Sequence, residues 1–335
     1  MLAGFAVVLV FVFLICLCVG RFYVPPLQTA RILFNCLAEG IFHAPLEVTW
    51  NDSMESIILN VRFPRLLAAV LVGAGLSVSG AAYQGVFKNP LVSPDLLGVS
   101  AGATVGASLA ILLGCASTLI QLSALAGGFL AVFITVSIPK LFRNNSSTML
   151  VLAGIIIAGF MSSLQSLMKY IADPEVELSS IVFWTMGSLA SIKMTDVLMV
   201  APAMLAAFVA VIAMRWRVNL LSLGESEALS LGVHVSRVRG LLILCSTVLT
   251  ACSVCMCGTI GWIGLVIPHF SRLIIGEDNR YMIPASVLLG ASFMVIVDTF
   301  ARNLTGSEIP LSIITGVLGT PVFIWLLKMQ KVRVQ

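Results

Sequence analysis

Side chains able to do chemistry are sparse in this 335-residue chain, and they gather in a few places. Cys245, Cys252, Cys255 and Cys257 crowd one apolar stretch, with Cys252 and Cys255 on one helical face. Thiols so placed suit a soft metal ion or a disulfide. Buried thiols in apolar helices more commonly pack as inert small groups, and inert packing is the expectation here. Cys16, Cys18, Cys36 and Cys115 show no metal-type spacing, so the eight cysteines establish no disulfide framework. His269, three residues before Arg272, is expected to be packed and hydrogen-bonded, while His43 and His234 stand alone. Three scattered histidines make no metal centre.

Enzyme signatures are missing. The chain has no Gly-x4-Gly-Lys-Ser/Thr phosphate loop, no His-Glu-x-x-His zinc motif and no Gly-x-Ser-x-Gly nucleophile elbow. Energy for any uphill process must therefore come from a partner or an ion gradient. An ion-coupled transporter usually carries a mid-span acid as its coupling site. Asp196 and Asp298 fall near the ends of expected spans, which weakens that alternative and leaves it open.

The elements that hold these groups follow from composition. Hydrophobic residues make up 59% of the chain and charged residues only 10%, against about 25% charged in a soluble domain. A membrane span needs about 20 apolar residues. Runs of that kind occur at approximately 2–20, 64–84, 96–113, 117–138, 148–171, 195–214, 240–257, 262–275, 284–301 and 309–327. The expectation is an all-α membrane protein of about ten transmembrane helices, a single domain over 1–335 in a lipid bilayer. Residues 2–20 have no basic residue ahead of the apolar run and no small-residue cleavage site after it, so they read as a span rather than a signal peptide. With both termini cytoplasmic, twelve Lys and Arg face inward and seven outward, in keeping with the positive-inside bias.

Two outer segments are long, 21–63 and 172–194, and neither is large enough for a folded domain. Within the first, Ile32, Leu33, Cys36 and Leu37 recur at helical spacing, which suits a short amphipathic helix on the outer face; a disordered loop is the alternative. Asn89-Pro90, Ser93-Pro94, Ile267-Pro268 and Thr320-Pro321 interrupt apolar runs. Non-helical backbone at membrane depth is tolerated only beside protein or a water-filled cavity, so these breaks point to a translocation pathway. The cytoplasmic loop 215–239 holds Ser222, Leu223, Gly224, Glu225, Glu227, Ala228, Leu231 and Gly232. There Ser222 could cap a short helix with Glu225 three residues on, and Gly232 could end it. Two short helices would offer a partner a rigid lever; a solvated connector is the alternative.

Longer stretches carry a resemblance. Arg62-Phe-Pro-Arg65-Leu-Leu, Gly80-Ala-Ala-Tyr-Gln84 and Asn89-Pro-Leu-Val-Ser-Pro94-Asp-Leu-Leu-Gly98 resemble the signature of the FecCD-type permeases. So do Phe183-Trp-Thr-Met-Gly-Ser-Leu189, the 222–233 loop, Gly258-Thr-Ile-Gly-Trp-Ile-Gly-Leu-Val-Ile-Pro-His269 and Gly319-Thr-Pro-Val-Phe323, in the same order along the chain. That family imports iron–siderophores, haem, cobalamin and oxyanions such as molybdate.

The resemblance implies a permease subunit of an ATP-binding-cassette importer in the bacterial inner membrane, working as a homodimer with the pathway between subunits. Two ATPase subunits would bind ATP and Mg, and this chain would bind no cofactor and no nucleic acid. A periplasmic or outer-face binding protein would deliver an iron–siderophore or similar metal chelate. Arg62, Arg65 and Arg302 would receive its acidic side chains, for which the planar guanidinium fork is well shaped. Snorkelling to the interface is the alternative for these arginines. Asn89, Leu91, Ser146, Ser147 and Thr148 would form the cytoplasmic gate, with helix capping as the alternative for the Ser-Ser-Thr run. The 222–232 loop would couple to the ATPase.

Overall fold

Residues 63–87 place Gly, Ala or Ser at eleven of 25 positions. Inside a bilayer there is little hydrophobic drive for helices to associate, so close packing and interhelical hydrogen bonds must do it, and short side chains permit both. The computed structural model describes residues 1–42, 50–144 and 146–334, and it makes this helix the axis of a bundle. His43 and Glu47 lie outside the described residues.

Fourteen α-helices are described. They are α1 Leu2–Cys18, α2 Pro26–Phe42, α3 Asp52–Ser56, α4 Phe63–Phe87, α5 Val99–Leu112, α6 Ser117–Leu141 and α7 Ser147–Ile171, followed by α8 Glu177–Met186, α9 Met194–Leu223, α10 Glu225–Ser230, α11 Val235–Cys257, α12 Ile263–Ile275, α13 Asn279–Asn303 and α14 Leu311–Val334. Six are long and apolar enough to cross a membrane and four are shorter apolar helices, which together account for the ten expected spans. α3 runs through a π-helical turn, Ile57–Arg62, straight into α4. α2 forms where an amphipathic helix was expected; it buries Ile32 against Val24, Trp50 and Ile58, yet leaves Cys36 exposed.

α9, α11, α12 and α13 surround α4. The apolar windows of α4 and α11 are 83% and 78% buried, against 28% for α6 and α7, so the first two are the interior helices and the last two the periphery. At Gly80 the approach is so close that a Cβ would lie 1.7 Å from the Gly264 carbonyl oxygen of α12. Ser79 donates to Ser246 O of α11 at 3.1 Å, and Thr247 and Ser253 of α11 return their hydroxyls to the carbonyls four residues back. α1 and α14 both point their chain ends toward the end of the bundle that holds Asn89; Arg65 lies at the opposite end.

Three expectations change, and one segment gains a helix. No break occurs at Ile267-Pro268 or Thr320-Pro321, since α12 and α14 run through both prolines. Pro268 has no N–H for Gly264 O, and the side chain of Gln84 supplies a donor instead, 3.5 Å away. The outer segment 172–194 holds α8 over Glu177–Met186. The loop at 215–239 shrinks, as α9 continues to Leu223 and α11 already begins at Val235. Only one short helix, α10, remains in it.

Substituting G80A should cost on the order of 2 kcal/mol, because backbone rather than a flexible side chain blocks the new methyl. The check is the melting temperature of purified protein, with G240A as control, since a Cβ at Gly240 meets open space.

Candidate functional site

α1 ends with unpaired carbonyls, as every helix does, and its C-terminus favours positive charge. Two arginines from elsewhere in the chain take up that position. Arg62 Nη1 donates to Leu17 O at 2.7 Å and Cys18 O at 3.0 Å, and its Nη2 donates to Phe22 O. Gly20 leaves room for the guanidinium, since a Cβ there would be 2.3 Å from Nη2. Arg302 Nη2 donates to Cys16 O at 2.7 Å.

Arg65 binds two acids at once. Its Nε lies 2.9 Å and 3.1 Å from the carboxylate oxygens of Asp298 in α13, and its Nη1 and Nη2 pair with Glu308 at 2.7 Å and 2.9 Å in a bidentate fork. Asp298 is fully buried, with Arg302 Nε a further 3.9 Å from it. Its charge is therefore matched within the protein, which removes it as a free coupling acid. Asp196 is likewise committed, accepting from Lys193 N at the start of α9.

Arg62, Arg65 and Arg302 are the residues expected to receive acidic side chains of a binding protein. They are only 4%, 4% and 8% exposed, and their donors serve this chain's own acids and carbonyls. The physical reason is the cost of an unpaired charge at membrane depth. With Arg21, Asn303 and Glu308 they line a recess of about 150 Å³. Arg21 closes its rim by donating to Arg302 O and Thr305 O, each at 3.0 Å.

At the opposite end, Gln84 is the hub that sequence reasoning missed. Its Nε2 reaches Val92 O at 3.3 Å and both Gly264 O and Leu265 O at 3.5 Å, while its Oε1 accepts from Arg272 Nη1 at 2.6 Å. A lone glutamine inside an apolar run was the available signal. Beyond it the chain turns: Lys88 takes a left-handed conformation, Asn89 Oδ1 accepts from Leu91 N at 2.9 Å, and Leu91 is left 55% exposed. Residues 94–97 then lie against α7. Ser146 caps α7 by accepting from Met149 N at 3.2 Å, with Ser147 and Thr148 in the first turn. Capping is thus what Ser146 visibly does.

α10 lies at this same end. Ser222 does not cap it: that hydroxyl returns to Asn219 O at 2.7 Å within α9. Gly224 is the capping position, and the Glu227 carboxylate folds back over it. Gly232, at φ 79°, ends the turn after α10. Ala228 is buried, whereas Leu223, Leu229 and Leu231 are all more than half exposed. Glu225's side chain lies outside the described residues.

Among the described residues the cysteines are all free, and no three metal-ligating groups converge. The thiols of Cys255 and Cys257 donate to Cys252 O and Ser253 O in their own helix. His269 is buried as expected, edge-on to Phe323 at 6.0 Å between ring centroids. Neither of its ring nitrogens bonds a described residue, which corrects the expectation of a hydrogen-bonded histidine. A cavity of about 500 Å³ opens among α5, α6, α8 and α11, where Gln121, Glu177, Ser180 and Trp184 are part of its wall.

The Arg65 network sets a graded expectation. D298N leaves a buried guanidinium half-paired and should cost about 3 kcal/mol. E308Q, at a side chain 30% exposed, should cost about 1 kcal/mol. Thermal unfolding of the two purified variants checks both the size and the order.

Comparison with known proteins agrees with this architecture. The model of the FecCD transport family matches residues 8–329. The molybdate import system permease protein MolB of Haemophilus influenzae is 39% identical over 96% of this chain and 93% of its own length. The hemin transport system permease protein HmuU of Yersinia pestis is 37% identical over 84% of this chain and 86% of its own. A solved structure of an ABC transporter assigned to the metal-chelate type, in an inward-facing conformation, superposes with a TM-score of 0.86 at 38% identity, covering 98% of both chains. The chain therefore belongs to the FecCD transport family and is a multi-pass permease of the ABC importer kind.

Proposed function

We propose that this chain, acting as one permease domain over 1–335, carries an iron–siderophore or related metal chelate across the bacterial inner membrane, with both termini cytoplasmic. The observation that supports the importer part of this reading is the contrast between the two ends of the bundle. One end offers a cationic recess, and the other offers an extramembrane helix with exposed leucines. An importer needs one docking face for a binding protein and one for an ATPase.

Peripheral α7 supports a homodimer with the pathway between subunits. Ser162, Ser163 and Ser166 are exposed along it, beside Gly159, where a Cβ would touch nothing. Hydroxyls in such a row suit a water-filled path better than lipid tails. Two copies facing each other there would bring Asn89, Leu91, Ser146, Ser147 and Thr148 together at the inner end. Exposed Leu91 side chains would then close the path by excluding water.

The ATPase would dock on Ser222, Leu223, Gly224, Glu225, Glu227, Ala228, Leu231 and Gly232 and would itself hold ATP and Mg. Exposed leucines on an extramembrane helix favour a protein partner there. At the other end, an acidic side chain of the binding protein would seat in the recess walled by Arg21, Arg62, Arg65 and Arg302. Among the described residues the acids paired with these four guanidiniums are Asp298 and Glu308, so the surplus is positive.

A molybdate cargo is the second reading, favoured by the near full-length similarity to a molybdate permease. Proteoliposomes holding the permease, its ATPase and the binding protein decide between the two. Uptake of radiolabelled ferric siderophore is expected and should stop without ATP; molybdate uptake instead would reassign the cargo, and uptake without the ATPase would sink the importer mechanism.

Each docking face has its own check. L229E combined with L231E should reduce co-purification of the ATPase by about tenfold or more, as loss of an apolar anchor does; unchanged recovery counts against α10 as the coupling element. R21E, which also gives up the two rim hydrogen bonds and so should lower the melting temperature slightly, should weaken binding-protein affinity by roughly tenfold. An unaltered Kd would remove the recess from the docking face.

A further inference from the structure

α9 is 30 residues long, more than a bilayer core requires. Trp216 lies roughly 33 Å along its axis from Met194, about one hydrocarbon thickness, which puts the indole at the membrane–water boundary where Trp is favoured. Val209, Ile212, Ala213 and Trp216 recur at i, i+3, i+4 and i+7, so they share one face of the helix. That face walls an open groove of about 530 Å³, closed at its polar end by Arg215 and Arg280.

The polar end is built in advance. Asn219 of α9 donates to Asp278 Oδ1 at 2.6 Å, and Asn219 Oδ1 accepts from Asn279 N at 2.8 Å, which ties α9 to the start of α13. Asp278 in turn holds Arg280 by an ion pair at 2.8 Å, and so fixes its guanidinium 4.7 Å from the centre of the Trp216 ring. Those same hydrogen bonds from Arg280 and Asn219 lower the Asp278 carboxyl to about 2, so it stays ionised at physiological pH. Asp278 neutralises one guanidinium. Arg215, which also lines the groove, makes no hydrogen bond or ion pair with a described side chain, so positive charge remains in excess beside an apolar trough at the depth of lipid headgroups.

We propose that this groove binds an anionic phospholipid, its phosphate between Arg215 and Arg280 and one acyl chain along Val209, Ile212 and Ala213. A zwitterionic lipid would gain the apolar contact without the charge match. The site would tie α9, and through Asn219 the base of α13, to the lipid at the end of the bundle where α10 lies.

Native mass spectrometry of the purified full chain, with added dioleoylphosphatidylglycerol or dioleoylphosphatidylcholine, tests this directly. The wild type should retain the anionic lipid about fivefold better, and R215E should abolish that preference. Arg215 has no described partner to lose, so the variant should fold with an unchanged melting temperature. Should R215E nonetheless fail to fold, R215Q, which keeps the side chain polar, serves in its place and should reduce the preference at least twofold. R143E, an exposed charge at the same end but outside the groove, should keep the preference. Equal retention of both lipids by the wild type, an unchanged preference in R215E or R215Q, or the same loss in R143E would each overturn the proposal. A preference that vanished once the ATPase was bound would overturn it too, and would give the groove to that partner.

Discussion

Every backbone carbonyl inside a bilayer must find a donor within the protein, and the architecture here follows from how α4 meets that demand. Gly80 lets α12 come so near that its backbone touches α4, and one helical turn later Gln84 supplies the donor that Pro268 took from Gly264 O. The two features need each other. Without the glycine, the amide could not reach; without the glutamine, the close approach would bury an unpaired carbonyl. The remaining acceptor of Gln84 then fixes Arg272, so one polar side chain holds α4, α12 and the 92 turn in a single arrangement.

The same demand explains the arginine end. Guanidiniums carried on α4 and α13 lie where water is scarce, and they are stable there because α1 offers its open C-terminal carbonyls and because Asp298 and Glu308 offer charge. Breaking such a set is more costly than its net contribution to stability, since each loss strands a partner. Glu308 belongs to the connection between α13 and α14, so its fork with Arg65 also fixes where α14 begins. Backbone bonds from Ile309 N to Ala301 O and from Leu311 N to Gly187 O reinforce that point.

What the sequence could reveal was set by range. Ten spans were legible because apolar runs of the required length are local, and α2 was legible because its spacing is. α8 was not, since ten residues of mixed polarity between charged loops carry no distinctive period. The continuity of α12 through Pro268 was hidden for a different reason: its repair comes from a residue 184 positions earlier in the chain, and no local rule about proline contains it. The partners of the arginines within the chain were hidden by the same limit. Positive charge against the positive-inside bias signalled a need for partners; for Arg65 these are Asp298 and Glu308, more than 230 residues away, whereas Arg62 and Arg302 turn to carbonyls at the end of α1.

These constraints also bear on motion. α4, α11, α12 and α13 are joined by buried hydrogen bonds and backbone-to-backbone contact, so relative movement among them would open several unpaired groups at once. α14 is different: its first residues are pinned by the Glu308 fork and the Leu311 bond, whereas Val317, Ile324 and Trp325 farther along are exposed. α7 is similarly peripheral, with its one described cap at Ser146. A rearrangement that kept the Arg65 end closed and tilted α7 and α14 at the Asn89 end would break the fewest bonds. The alternative, a pivot at the Asn89 end, would have to pull Glu308 from Arg65 and expose an unmatched guanidinium to the membrane. The polar network therefore ties the arginine end more firmly than the end where α10 and the Asn89 turn lie.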